Sequence, residues 1–143
     1  MSKIKSFRGH MQPDTVDTIN LHTNNGSIGY KIKKLQIITK NPMSGTTEAV
    51  VKVYSIPQPQ TSIDAVIDFS EQTLLAVGTM LTTETQDMAI FDNIIFNQDI
   101  YVTYATQSGS DSVNYYIELE QDKLDISENT VATLKDIRNI TGQ

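Results

Sequence analysis

Apolar and polar positions alternate with a period of two along much of the chain, and that period predicts β-strands. Over residues 15–23, Ile19 and Leu21 fall on one side, while Thr18, Asn20 and His22 fall on the other. Asn24-Asn25-Gly26-Ser27 follows, a hairpin signal because Asn and Gly tolerate positive φ. Between Ile28 and Thr39 the inward parity switches: Tyr30 and Ile32 are even, Leu35 and Ile37 are odd. A β-bulge near Lys33-Lys34 explains the switch, and so do two short strands joined by a bend. Asn41-Pro42-Met43-Ser44-Gly45 reads as a turn. Ala49, Val51 and Val53 share one face of a strand over 48–56, which Pro57 and Pro59 end because proline cannot donate to a central ladder. Ile63, Ala65, Ile67 and Phe69 alternate and predict a further strand, and Leu74 to Leu81 is another apolar segment.

Residues 95–120, IFNQDIYVTYATQSGSDSVNYYIELE, hold two strand-forming segments around a Gly/Ser/Asp loop and predict a hairpin. Ile100, Val102 and Tyr104 share a face, as do Tyr115, Ile117 and Leu119. The two faces are expected in one core layer, with Glu118 and Glu120 turned to water. Near 127–139 the period changes to that of a helix. Asp125 or Ser127 can cap it, and Glu128 stands in capping-box spacing to Asp125. Val131, Leu134 and Ile137 recur on one side, and Lys135 and Arg138 come late, where the helix dipole favours cations. The whole pattern predicts a single all-β domain over residues 1–143. It is expected to be an antiparallel, jelly-roll-like β-sandwich with a short C-terminal helix. Residues 1–12 read either as an arm or as a first strand.

Composition agrees with that reading. Apolar residues make up 38% of 143, well above the disordered regime. The chain is rich in Thr, Ser, Asn and Gln, which suits strands joined by many loops. Cysteine is absent, so no disulfide framework or thiolate chemistry is available. The first ten residues, MSKIKSFRGH, lack the apolar core of a secretory signal, and no apolar run approaches the ~20 residues that span a bilayer. A soluble protein made in a cytoplasm, with no membrane partner, is expected.

Charge is uneven. Residues 1–40 hold Lys3, Lys5, Arg8, Lys31, Lys33, Lys34 and Lys40 against Asp14 and Asp17, whereas Val53 to Asp122 contains no Lys, Arg or His. With a formal net charge of −6, the chain is not expected to bind nucleic acid outside its N-terminal segment.

Reactive constellations are sparse. His10 and His22 are the only histidines, too few for a zinc site without Cys. No Gly-x-Ser-x-Gly elbow, P-loop or dinucleotide fingerprint occurs. Asp92-Asn93 with Asn97 and Asp99 matches no EF-hand spacing and reads as turn chemistry. Glu118 and Glu120 read as a solvated pair. No enzymatic activity and no cofactor or metal is therefore expected. Tyr101 and Tyr116 would be exposed together on the outer face of the expected hairpin and could stack a sugar; ordinary cross-strand pairing is the simpler reading.

Four stretches, TNNGSIGYKIKKLQII (23–38), SIDAVIDFSEQTLL (62–75), IFDNIIFNQDIYVTY (90–104) and NYYIELEQDKLDISENTVATLKDIRN (114–139), resemble small virion proteins of marine tailed phages. They cover about half of the chain, and the last is the most specific. The resemblance implies a virion component assembled in the host cytoplasm, most simply a capsid decoration or cement protein. Its implied partners are the major capsid protein or another virion protein, together with further copies of itself in a homo-oligomer such as a trimer. A tail or head–tail accessory protein and a carbohydrate-binding module remain as alternatives. No functional residues come with the resemblance.

The residues themselves offer two attachment elements. Lys3, Lys5 and Arg8 alternate with Ile4 and Phe7, so an arm could lay cations on an acidic surface and apolar anchors in pockets. The helix stripe Val131, Leu134 and Ile137 must bury against the domain or a neighbour, worth ~1.5–3 kcal/mol per side chain. Leu134→Asp is accordingly expected to unfold the domain or to block assembly. Unchanged melting temperature together with unchanged particle binding would show the stripe to be exposed.

Overall fold

The computed structural model describes residues 3–21, 28–41, 48–80, 88–91, 94–106 and 112–123. Among these described residues eight strands appear in chain order: β1 (Lys3–Met11), β2 (Thr15–Ile19), β3 (Ile28–Thr39), β4 (Ala49–Tyr54), β5 (Leu74–Met80), β6 (Met88–Phe91), β7 (Ile100–Ala105) and β8 (Val113–Lys123). They form a three-stranded sheet, β1-β8-β3, and a five-stranded sheet, β2-β7-β4-β5-β6. Every pairing among them is antiparallel. The helix expected near 127–139, with Val131, Leu134 and Ile137, lies outside the described residues.

Period two places the core. Ile100, Val102 and Tyr104 of β7, Val51 and Val53 of β4, and Ile117 and Leu119 of β8 are all fully buried. One hydrophobic cluster joins these residues from both sheets, so the inward faces of the two sheets share a core. Rings help to couple the sheets. Phe96, just ahead of β7, exchanges both backbone hydrogen bonds with Tyr30 of β3, at 2.8 and 2.9 Å. Their rings stack with centroids 6.2 Å apart.

Two hairpin expectations give way to crossings. β7 and β8 do not pair: β7 belongs to the five-stranded sheet and β8 is the centre of the other. Likewise, β2 and β3 flank Asn24-Asn25-Gly26-Ser27 but lie in different sheets. Alternation fixes which face of a strand is inward, and it is silent on which of two facing sheets the strand joins. The stretch 95–120 thus supplies one strand to each side of the core.

The parity switch in β3 is a bulge inside one continuous strand. Ile32 pairs with Leu119 and Lys34 with Glu118, which leaves Lys33 as the extra residue. The bulge keeps Leu35 and Ile37 inward after Tyr30 and Ile32, and all four are buried.

The N-terminal segment is a strand of its own sheet. β1 pairs with β8 from Lys3↔Gln121 to Met11↔Val113. Phe7 packs against the core, while Ile4, of opposite parity, is 57% exposed. The two expected anchors therefore face opposite ways, and Phe7 serves its own domain. At the end of β1 the chain turns towards the other sheet through Asp14, at φ 59°, a conformation that Asp tolerates better than most residues. Its N–H donates to Tyr104 O at 2.8 Å, and the Thr15 hydroxyl donates to Gln12 O at 2.7 Å.

Gly9 pairs directly with Tyr115, whose ring lies against the glycine backbone. A β-carbon at position 9 would stand 2.6 Å from Tyr115 Cε2 and 2.7 Å from its Cζ and Oη. The ring has little room to retreat, because it is buried and its hydroxyl bonds Asp17 of β2. Burial first, and then Asp17, pushes the phenol up to about 12. Gly9→Ala is expected to destabilise the fold by about 1–3 kcal/mol through overpacking, read as a lower denaturant midpoint. No change in the midpoint would mean that the ring moves freely.

Candidate interaction surfaces

The connection between β4 and β5 is the most unusual part of the described chain. Its ends are tied by Ser55 N–H donating to Thr73 O at 2.9 Å. The chain between them folds over the outer face of the five-stranded sheet, with only one short 3₁₀ turn, Gln60–Ser62. Ile63 to Phe69 is not the strand that its alternation predicts. Asp64 Oδ1 accepts from Val66 N–H at 3.2 Å, and Asp68 Oδ1 accepts from Ser70 N–H at 2.9 Å and from the Ser70 hydroxyl at 2.6 Å. Such side-chain bonds two residues along hold the backbone in turns and compete with a sheet ladder.

A buried cation fastens this loop. Lys52 projects from the outer face of β4, where it is 3% exposed. Its Nζ donates to Asp64 Oδ1 at 2.9 Å and to the Val66 carbonyl at 2.8 Å. It also lies 5.6 Å from the centroid of the Tyr54 ring. Tyr54, Leu74 and Val77 form a small second cluster on this outer face, with Val50 and Tyr101 packed at its edge. Burial alone would lower the Lys52 pKa, but the bonds to Asp64 and Tyr54 outweigh it and the net shift is upward. The Lys52 ammonium in turn holds the Asp64 carboxyl below the usual range.

Beyond this latch the loop turns apolar side chains to solvent. Val66 is 67% exposed, Phe69 66% and Ile67 39%. Neighbouring large apolar side chains held out of the core mark a contact site more than scattered ones do.

The outer face of the three-stranded sheet is of another kind. Lys31 pairs with Glu120 at 3.2 Å. The Tyr116 hydroxyl donates to Glu118 at 2.7 Å, and Lys34 Nζ lies 5.9 Å from the Tyr116 ring centroid. His10 Nδ1 and Asn114 Oδ1 are 2.8 Å apart. Below this row an open groove of about 550 Å³ is lined by Arg8, His10, Gln36, Ile38, Asn114 and Tyr116, with the backbone of β1 and β8 as its floor. Ile38 is 53% exposed at its margin.

Charge separates with the sheets. Lys3, Lys5, Arg8, Lys31, Lys33, Lys34, Lys40 and Lys123 oppose Glu118, Glu120 and Asp122 in and beside the three-stranded sheet, a net of +5. Around the five-stranded sheet, Asp14, Asp17, Glu48, Asp64, Asp68, Glu71 and Asp99 oppose Lys52 among the described residues, a net of −6.

The sequence-derived candidates now have places. Lys3, Ile4, Lys5, Phe7 and Arg8 all lie on β1, but Arg8 is the one that lines the groove, and Lys5 sits 6.0 Å from the Tyr30 ring centroid. Tyr101 and Tyr116 do not share a platform. Tyr101 packs beside Tyr54 on the outer face of the five-stranded sheet, and Tyr116 lies on the outer face of the other. Asp99 Oδ1 accepts the Leu21 N–H at 2.7 Å, a turn role, while Asp92, Asn93 and His22 lie outside the described residues. The signal for the latch was present in the sequence as Lys52, a lone cation in an apolar strand, followed by Asp64. Comparison of the chain with protein-family models and with curated proteins gives no match.

The latch has a pH window. Because the folded Asp64 pKa is depressed, its contribution is present above the ordinary carboxylate value and is lost as pH falls through the depressed one. Because the folded Lys52 pKa is raised, its contribution is complete below 10.5 and is lost as pH rises through the higher folded value. The loop is thus held across neutral pH. Lys52→Met should cost about 1–3 kcal/mol, towards the low end because Asp64 faces water. It should speed proteolytic cleavage between Asp64 and Ser70, most clearly at neutral pH. Equal cleavage of the variant and the parent would show that the latch holds nothing.

Proposed function

We propose that the chain is a non-enzymatic structural protein of a virion, most simply a decoration or cement protein on the outside of a phage shell. In this reading the two sheets make a jelly-roll-like β-sandwich that works through its outer surfaces. The partner is the major capsid protein or another virion protein, and further copies of the chain join it. The observation that carries the reading is the latched loop. A buried lysine is spent on holding Val66, Ile67 and Phe69 in water, where they add nothing to the domain's own core. Such an arrangement supports a contact surface for another protein. The resemblance of 23–38, 62–75, 90–104 and 114–139 to phage virion proteins supplies the kind of particle, and the loop falls within the second of these stretches.

A tail or head–tail accessory role would use the same contact chemistry at a different copy number. A sugar-stacking role draws less support, because Tyr101 and Tyr116 lie on opposite outer faces. Copy number in a purified source particle separates the readings. Occupancy in the hundreds is expected for decoration, against about a dozen or fewer for a ring on the tail axis. Absence of the chain from the particle would refute both.

A further inference from the structure

The two outer faces differ in a way that lets one copy complement another. The five-stranded side offers a projecting, latched loop with apolar Val66 and Phe69 around the carboxylate of Asp68. The three-stranded side offers an open groove with Ile38 at its margin and Arg8 in its wall. The loop carries Asp64, Asp68 and Glu71 against Lys52, and the groove's own face carries Arg8, Lys31 and Lys34 against Glu118 and Glu120. Because the two features lie on opposite outer faces, neither can reach the other within one chain.

We propose that the Val66–Phe69 loop of one copy docks into the β1-β8-β3 groove of the next. The open groove, of about 550 Å³, is within the size range of clefts that hold a small molecule, ~300–1,000 Å³, and has room for an aromatic and an aliphatic side chain. Phe69 and Val66 meet Ile38 and the Tyr116 ring, and Asp68 meets Arg8. Glu118 is the acidic group beside the groove, and its charge is shared with the Tyr116 hydroxyl. Loop and groove are different patches, so the contact is heterologous. It closes into a ring if the rotation between copies allows, and otherwise continues as a chain of subunits. The apolar pair supplies most of the affinity, and the opposite charges steer the approach. This contact is a property of the isolated protein and does not depend on the virion reading: it can fail while the copy-number result stands, and the reverse.

Sedimentation of the purified full chain over a wide concentration range tests it. Self-association is expected, weakened by salt because the charges are exposed. Phe69→Ser and Arg8→Glu should each weaken it about tenfold or more while leaving the melting temperature close to that of the parent. The cysteine-free chain gives a second readout that does not depend on affinity alone. Ile38→Cys and Phe69→Cys are made in separate preparations and mixed under mild oxidation. The heterologous contact predicts a mixed disulfide well in excess of either homodimer. Homodimers without the mixed product would indicate a symmetric contact and overturn the proposal. A protein that stays monomeric at millimolar concentration would overturn it too, as would Arg8→Glu abolishing binding to duplex DNA in a protein that does not self-associate.

Discussion

The architecture hangs on β8. This one strand pairs along its length with β1 on one side and with β3 on the other, so it sets the register of the whole three-stranded sheet. Its inward residues, Val113, Tyr115, Ile117 and Leu119, supply a row of the shared core. Its outward residues, Asn114, Tyr116, Glu118 and Glu120, are the central row of the outer face and meet His10, Lys34 and Lys31 across the ladder. A one-residue slip of β8 would turn the core row to water and dissolve the groove in the same movement. Packing and surface chemistry are therefore two readings of one register. Gly9 belongs to this constraint, because the Tyr115 ring occupies the space where a side chain on β1 would stand.

The second organising contact is Lys52. A cation taken out of water costs free energy unless charge and hydrogen bonds replace its hydration. Asp64, the Val66 carbonyl and the Tyr54 ring provide that replacement. The need of the lysine and the position of the loop are thereby linked. The loop cannot leave without exposing a lysine that the small cluster of Tyr54, Leu74 and Val77 has helped to bury.

Much of the strand content was legible from periodicity, because a strand with one buried face must alternate. Ala49, Val51 and Val53, the rows on β7 and β8, and the bulge after Ile32 all show this directly. Sheet membership was not legible. It depends on where the chain crosses the core, and the turn-forming residues at 24–27 and 106–112 look the same in a hairpin and in a crossing. Ile63 to Phe69 misled for a different reason. Its alternation is real, but Asp64 and Asp68 bond the backbone two residues on, and local turn chemistry prevailed over pattern. The surfaces were half legible. The uneven charge was plain along the sequence, whereas its division between the two sheets required the strand order. Arg8 was recognisable as a basic attachment residue, but its alignment with Gln36 and Tyr116 follows from pairing alone.

The way Lys52 grips the loop bears on how the protein can diversify. One of its two acceptors is a backbone carbonyl, that of Val66, which every amino acid presents. The other, Asp64, precedes the exposed tip. The residues that fix the loop in space are thus separate from the side chains at 66, 67 and 69 that would meet a partner. Those three positions form an interchangeable tip on a constant mount. A lineage could re-tune what the tip recognises by single substitutions there, while the sheets beneath remain unaltered.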